Sequence, residues 1–494
     1  MNDAEKREKT ELFINRFKTI ARNYVRKGKY EKVAAIVDYC GKVLYNYNQY
    51  YTDDALESLI NDIGVHVKNR VKGELDAVVA DGNTVVFYDG FGLYTRGVAI
   101  NYLNALKKIG YKVIYVTDMG NSEMVQYLKT SDLGRGIVLE LISKRRRYIK
   151  SAISLLNVFI KYSPLAMFFY STPYDVSGAA AFYAFEGKTK RFLIDLTDHA
   201  FWLGKNSVDY VLGSREMSAY IEHYERRIPK EKLIKLGVNL VIPYENDHSG
   251  LPFDVKSERY IFSGGSLYKT LGDPDNAFYK IIDAILSEHT DILFLYAGSG
   301  DMSEMDKLKA IYTDRIFVIP ERKDFYYLIE NCVFYLNTYP MFGGMMMKYA
   351  ASAKKLPLTL KHDADSDGLL LNQKQAGIEF DTAKELIEDA DKLLNSEDYL
   401  KAREDMLEGT TISETRFINN LKGAITDGKT DYSHKFETFD TKKFRQEFLE
   451  RFDFNAVTRD AVVLQSAVLF FRFPFLMTHA FKKLFIKLFK CKNM

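Results

Sequence analysis

Two series of short apolar runs, each alternating with helical segments, constrain the fold of this chain more than any other feature. Apolar strands that alternate with helices form parallel β-α-β units. The first series has apolar runs at residues 85–88, 113–116, 167–170, 192–196 and 210–212. The second series has them at residues 260–262, 292–296, 316–318, 333–336 and 357–360. The sequence therefore predicts an α/β protein with two Rossmann-like domains.

A polar, turn-rich segment near residues 243–252 separates the two series and indicates a linker. Helical periodicity in the first 75 residues predicts an N-terminal helical segment. A chain of 494 residues is long enough for more than one core. We expect a helical segment at 1–75, a first α/β domain at 76–245, a second at 255–430, and C-terminal helices at 440–494.

The end of the chain has the pattern of a basic amphipathic helix. Apolar residues recur there at the spacing of one helix face, at Phe481, Leu484, Phe485, Leu488 and Phe489. Lysines occupy most of the remaining positions, which favours binding to anionic lipid over docking on the protein's own surface. The apolar run at 461–471 is too short to span a bilayer. Because the first residues lack the apolar core of a signal peptide, we expect a cytoplasmic protein attached peripherally to the membrane.

Composition and local motifs argue against several classes of partner. The net charge of +3 is too small to indicate nucleic-acid binding. The three cysteines lie far apart, which favours neither a disulfide framework nor a zinc site. The run beginning at Asp363 starts like a calcium loop, but Lys374 stands where a bidentate glutamate is required. A D-x-D triplet at residues 273–275 lies in a turn rather than after a strand, and we predict no metal ion.

Two glycine-containing turns follow strands of the second series. Gly264 and Gly265 come after the first strand and lead to Lys269, and Gly343 and Gly344 open a helix after the fourth. Glycines let a backbone approach a phosphate, and a helix N-terminus attracts anions. Each turn alone is an ordinary strand-to-helix connection. Since both lie on the cleft side of one domain, together they predict a diphosphate site.

These stretches, with residues 315–317 and 335–344, resemble the catalytic region of GT-B glycosyltransferases, especially those similar to protein O-linked N-acetylglucosamine transferase. Residues 87–97, which include Arg96, and residues 194–204 resemble parts of bacterial polysaccharide glycosyltransferases of the same type. The resemblance extends over residues 84–425. It implies a nucleotide-sugar donor substrate, a UDP-sugar, and no cofactor.

The resemblance also implies roles for individual residues. Lys269 would contact the donor diphosphate, and the helix that begins at Gly343, Gly344 and Met345 would direct its N-terminus at the same phosphates. From the residues themselves, we expect Gly264, Gly265 and a turn near Ser366 to complete the donor site. This chain departs from the family because methionines occupy 345–347 and no acidic residue follows in 348–353 to hold a ribose. Diphosphate binding is therefore better supported than the identity of the nucleotide.

The stretch IDLTDHAFWLG, residues 194–204, supplies the candidate catalytic groups of the first domain. We expect His199 to accept the proton of the acceptor hydroxyl, with Asp198 or Asp195 orienting the imidazole. Trp202 and Arg96 are predicted to contact the acceptor sugar. The alternative is a structural turn, an Asp-His helix cap beside a core tryptophan. No pair of glutamates lies near residues 338–350, which favours inversion of the anomeric configuration.

The sequence therefore predicts an inverting glycosyltransferase at the membrane surface. Its acceptor would be a growing, lipid-linked glycan such as a capsular or other surface polysaccharide. One alternative keeps the activity but makes the acceptor a protein side chain. Another is a non-catalytic GT-B subunit that stabilises a partner transferase, consistent with the extra N-terminal helices and the missing ribose acid.

Overall fold

The computed structural model describes residues 2–94, 97–142, 147–242, 247–361, 370–371, 373 and 375–451. Within these ranges the chain forms two parallel sheets, each flanked by helices. Four helices precede the first sheet: α1 (Asp3–Arg26), α2 (Tyr30–Tyr47), α3 (Asp54–Arg70) and α4 (Lys72–Asp76).

The N-terminal helices begin and end at capping residues that the sequence encodes. Asn2 and Glu5 form a reciprocal capping box at the start of α1. Helix α2 ends at Asn48, which has left-handed backbone angles, and Asp53 accepts hydrogen bonds from two amides at the start of α3. The apolar faces of α1 to α3 lie in one hydrophobic core with the first sheet. The predicted separate segment 1–75 is therefore an integral layer of the first domain.

The first sheet contains seven parallel strands: β1 (Asp81–Asp89), β2 (Lys112–Thr117), β3 (Val138–Leu141), β4 (Pro164–Tyr170), β5 (Lys190–Ile194), β6 (Tyr210–Gly213) and β7 (Leu233–Lys235). Its helices are α5 (Ala99–Ile109), α6 (Glu123–Thr130), α7 (Tyr148–Tyr162), α8 (Val176–Ala184) and α9 (Glu216–Tyr220), which continues as a π-helical turn, Ile221–Glu225. The strand order is β3-β2-β1-β4-β5-β6-β7. Val86 of β1 pairs with Ile114 on one side and Met167 on the other. The order reverses between β1 and β4, which opens a crevice at the carboxyl ends of the strands.

The second sheet contains six parallel strands: β8 (Tyr260–Gly264), β9 (Leu293–Ala297), β10 (Ile316–Ile319), β11 (Tyr335–Leu336), β12 (Pro357–Leu360) and β13 (Glu379–Phe380). Its helices are α10 (Ala277–Glu288), α11 (Ser303–Ile311), α12 (Phe325–Asn331), α13 (Gly344–Ser352), α14 (Ala383–Asn395) and α15 (Glu397–Asp405). The strand order β10-β9-β8-β11-β12-β13 again reverses beside the first strand. The prediction of two parallel-sheet α/β domains is confirmed.

The chain returns to the first domain after α15. Helix α16 (Glu414–Asp427) packs against α5, and Phe417 meets the Tyr102 ring edge-on at a centroid distance of 5.4 Å. Leu421, Ala424 and Ile425 fill the same core as strand β1. The second domain therefore ends before α16 rather than at residue 430 as the sequence suggested.

Residues 428–440 then run along the first domain to α17 (Thr441–Arg451), which lies beside α2. The Glu216 carboxylate accepts hydrogen bonds from the amides of Lys435 and Phe436 and so fixes this segment. None of the helices in the described ranges is long and apolar enough to cross a membrane. The predicted amphipathic helix near residues 478–494 lies outside the described residues.

Candidate active site

A cavity of about 520 Å³ lies between the two domains, within the size range of small-molecule sites. The first domain contributes the segments that follow β5 and β6. The second contributes the turn Leu267–Thr270 and the start of α13. Tyr45 of α2 and Phe444 of α17 complete the lining. The cavity therefore lies where the carboxyl ends of both sheets face each other.

Lys269 lies on the wall that the second domain provides. The Met341 amide donates a hydrogen bond of 3.0 Å to the Lys269 carbonyl, which joins the two glycine turns. Burial lowers the pKa of the Lys269 side chain. Its ammonium group forms no hydrogen bond or ion pair with any residue in the described part of the chain. A half-buried lysine without a counter-ion is suited to receive an anion.

The glycine turn after β8 supports Lys269 from behind. The Gly265 amide donates to the Ala297 carbonyl at 2.9 Å, and the Tyr296 hydroxyl donates to the Gly265 carbonyl at 3.1 Å. A Cβ on Gly298 would lie 1.9 Å from the same carbonyl oxygen, so the loop after β9 requires glycine there. The Gly265 amide is therefore already bonded to a carbonyl of its own domain. The turn holds the backbone that leads to Lys269.

The start of α13 is held by Asn337 at the end of β11. The Asn337 Oδ1 atom accepts hydrogen bonds from the amides of Thr338 (3.0 Å) and Gly343 (2.8 Å), and its Nδ2 donates to Thr359. The Gly343 amide is thus engaged, and the prediction that it faces a phosphate is corrected.

Gly344 and Met345 line the cavity. Their amides precede the first intrahelical bond, which runs from Met347 to the Gly343 carbonyl. These two amides and the positive end of the helix dipole lie on the same cavity wall as Lys269, an arrangement suited to an anion.

Trp202, predicted to stack on a sugar, is buried with 4% of its surface exposed and belongs to the core of the first domain. The Arg226 guanidinium stacks on the indole at 4.5 Å. The same guanidinium donates to the carbonyls of Asp198 (3.3 Å) and Ala200 (2.6 Å). The prediction for Trp202 is therefore wrong: the ring and Arg226 shape the turn from its inner side.

The N-terminal helices clamp the same turn from the other side. The Asn48 Nδ2 atom donates to the His199 carbonyl at 3.0 Å, and its Oδ1 accepts from the Phe201 amide at 2.9 Å. The Gly204 amide donates to Glu57 of α3 at 2.9 Å. Three elements therefore fix the backbone around His199, and two of them lie outside the predicted first α/β domain.

His199 lines the cavity together with Asp195, Leu196 and Asp198 of this turn, and 33% of its side chain is exposed. Its Nδ1 lies 3.6 Å from Asp198 Oδ1, close enough for charge stabilisation but longer than a hydrogen bond. Asp198 forms a bidentate ion pair with Arg215. Burial alone would raise the pKa of Asp198, but Arg215 and His199 outweigh it and lower that pKa. Asp198 is therefore a fixed anion beside the imidazole.

Asp195, the other candidate partner of His199, faces Glu222 instead. Burial and the Glu222 charge raise the pKa of Asp195, and burial also raises the pKa of Glu222 against the opposing charge of Arg226. The two carboxyl groups therefore favour holding a proton between them. Of the two carboxylates that the sequence left open as partners, Asp198 is the one whose Oδ1 lies 3.6 Å from His199 Nδ1.

Two cationic residues that line the cavity, Arg215 and Lys348, were not predicted from the sequence. Lys348 follows Gly344 by four residues, so the two share a helix face, and this spacing was visible in the sequence. Arg215 follows β6, and no pattern in the sequence marked it as a site residue.

Arg96 was predicted to contact the acceptor and Ser366 the donor, but both lie outside the described residues. Among the described side chains, no group of three or more His, Cys, Asp or Glu is arranged to hold a metal ion.

Comparison with known proteins establishes the fold. No protein-family model matches the chain, and no curated protein matches its sequence. A putative UDP-N-acetylglucosamine 2-epimerase from Listeria monocytogenes superposes with a TM-score of 0.52 at 15% identity, covering 71% of this chain and 99% of that protein.

A glycosyltransferase from Rickettsia africae superposes with a TM-score of 0.51 at 13% identity, covering 70% of this chain and 99% of that one. Another UDP-N-acetylglucosamine 2-epimerase gives 0.51 at 13% identity, covering 72% and 100%. With the two facing parallel-sheet domains and the cavity between them, these similarities show that the chain has the GT-B fold.

Proposed function

We propose that this chain is a glycosyltransferase that moves a sugar from a nucleotide-sugar donor to a glycan acceptor. One observation carries the proposal: a single cavity joins an anion-binding wall, formed by Lys269 and the start of α13, to a wall that carries His199 and Asp198. Transfer from a nucleotide sugar needs both, since the leaving diphosphate must be stabilised while the acceptor loses a proton.

The second domain would bind the donor. Lys269 would form a charge-assisted hydrogen bond with the diphosphate, and the Gly344 and Met345 amides would donate to the same group. The donor is proposed to be a UDP-sugar. The resemblance of the glycine turns and the names of two structures of the same fold, both UDP-N-acetylglucosamine 2-epimerases, support this nucleotide.

The first domain would bind and activate the acceptor. The acceptor hydroxyl oxygen would attack the anomeric carbon as the bond to the diphosphate breaks, with its electron pair leaving on the diphosphate. His199 would take the hydroxyl proton, and the Asp198 carboxylate, 3.6 Å away, would stabilise the imidazolium that forms. Attack from the face opposite to the leaving group inverts the anomeric configuration.

The acceptor is proposed to be a lipid-linked glycan of a surface or capsular polysaccharide. The support comes from the sequence of residues 478–494, whose pattern predicts a basic amphipathic helix suited to an anionic membrane surface. The protein would then act from the cytoplasmic face as a peripheral membrane enzyme, without metal ion or cofactor.

Nucleotide binding and turnover test this function in two steps. Calorimetry with UDP should show binding that Lys269→Ala weakens about 10- to 100-fold, because a charge-assisted hydrogen bond contributes roughly 1.5–3 kcal/mol. Lys280→Ala, at an exposed lysine of α10, is the matched control and should bind like wild type. Wild-type protein that does not bind UDP would overturn the proposal.

The second step measures UDP release from a panel of UDP-sugars. His199→Ala should lower release about 10²- to 10⁴-fold, as loss of a general base does, while UDP affinity is retained. Formation of an epimeric UDP-sugar without UDP release would identify an epimerase instead. UDP binding without turnover of any donor would favour the non-catalytic subunit.

A further inference from the structure

Lys348 borders the cavity but has no role in the function proposed above. It lies one turn inside α13, on the same helix face as Gly344. The Cα–Cβ bond of a helical residue tilts toward the helix N-terminus, so the Lys348 side chain starts out toward the turn that begins at Gly344. Lys348 lines the cavity together with Lys269, and it also borders a smaller adjoining cavity of about 140 Å³.

Positive charge is in excess around Lys348. Arg215 and Asp198 of the first domain face it across the cavity, but Asp198 is already paired with Arg215. Among the residues that the structure describes, none forms a hydrogen bond or ion pair with the Lys348 ammonium. Desolvation and the nearby Arg215 charge lower the pKa of Lys348 to about 8, only partly offset by Asp198. Keeping Lys348 charged at this position costs free energy unless a bound anion compensates the positive charge.

We propose that Lys348 is a second cation of the diphosphate site and makes the site selective for a nucleoside diphosphate over a monophosphate. This inference rests on the proposed glycosyltransferase function. Lys269 and the start of α13 bind one phosphate group. Lys348, which reaches the same helix turn, neutralises the charge of the other. Because negative charge on the diphosphate grows as the bond to the sugar breaks, Lys348 also stabilises the leaving group.

The alternative is that Lys348 is a structural residue whose four-carbon stem fills space between the domains. Lys348→Met separates the two roles, since methionine keeps an unbranched apolar stem and removes the charge. A purely structural lysine would tolerate this change with unaltered nucleotide affinity.

The experiment compares UDP and UMP binding to the full chain by calorimetry at pH 7.5. Lys348→Met should raise the Kd for UDP on the order of 10- to 100-fold and the Kd for UMP much less. Lys280→Met, at the exposed position on α10, should change neither. An unchanged UDP affinity in Lys348→Met, with the loss in Lys269→Ala intact, would overturn the inference and leave the proposed function standing. Failure of wild type to bind UDP would overturn both.

Lys348→Arg provides a second test that does not depend on how the methionine variant folds. Between pH 7.5 and 9.5 wild type should lose UDP affinity as Lys348 deprotonates, whereas arginine stays charged and should keep most of it. Lys269, His199, Tyr45 and Tyr268 also face the cavity and are common to both proteins, so the difference between the two profiles reports on Lys348. Coincident profiles would refute the assignment.

Discussion

Glu57→Gln should make the stability of the first domain less dependent on pH. Glu57 lies on α3 with 1% of its surface exposed, and its Oε1 atom accepts the hydrogen bond from Gly204 that anchors the end of the His199 turn. Burial raises the pKa of Glu57 to about 7, and the Gly204 hydrogen bond and the Lys205 charge offset this only in part.

The magnitude follows from the difference between the folded and unfolded pKa values. An unfolded chain releases the Glu57 proton near pH 4.5, while the folded protein keeps it until about pH 7. Between these values the native state binds more protons, so the free energy of unfolding falls as pH rises. A shift of this size corresponds to roughly 3 kcal/mol, present in full below pH 4.5 and lost above pH 7. Glutamine can still accept the Gly204 hydrogen bond but does not ionise.

Urea unfolding at pH 5 and pH 8 checks this expectation. The fluorescence of Trp202, the chain's only tryptophan and part of the same core, reports on the transition. The free energy of unfolding of Glu57→Gln relative to wild type should be higher at pH 8 than at pH 5, by up to about 3 kcal/mol. Glu74→Gln, at an exposed glutamate of α4, should show no such difference. Parallel changes in wild type and Glu57→Gln across this range would refute the reasoning.

Other expectations concern the nucleotide turn, the His199 turn and the end of the chain. Gly298→Ala places a Cβ 1.9 Å from the Gly265 oxygen, so it should displace Lys269 and weaken UDP binding at least about tenfold; equal affinity in calorimetry would contradict this. Asn48→Ala removes two hydrogen bonds from the turn and should slow UDP release from a donor while UDP affinity is kept; a normal rate would show that the clamp is dispensable. Deleting residues 478–494 should release the protein from anionic vesicles in a flotation assay, and continued binding would place the membrane contact elsewhere.

The fold was predictable because strand and helix periodicities are local properties of the sequence. The two series of apolar runs correspond to the two sheets, and the glycine turns and the 194–204 stretch both reach the cavity. The return of α16 was not predictable, since an amphipathic helix has the same pattern whichever sheet it covers. The clamp on His199 joins residues 151 positions apart, and no local pattern encodes such a pair.

Trp202 shows the limit of reading residue types alone. A lone tryptophan beside a histidine is compatible with a sugar platform or with a core. The outcome depended on Arg226, more than twenty residues later, which stacks on the indole. The assignments of Lys269 to the diphosphate and His199 to the acceptor proton remain predictions, now with a shared cavity that brings the two residues to one site.

The return of α16 has a consequence for how the protein is made. A ribosome synthesises the whole second domain, residues 260–405, before it delivers the helix that covers α5. Domains usually fold in order of synthesis, but here the face of α5 that contains Tyr102 stays uncovered until Phe417 and Leu421 emerge. The core of the first domain is therefore completed only after the second domain has been synthesised.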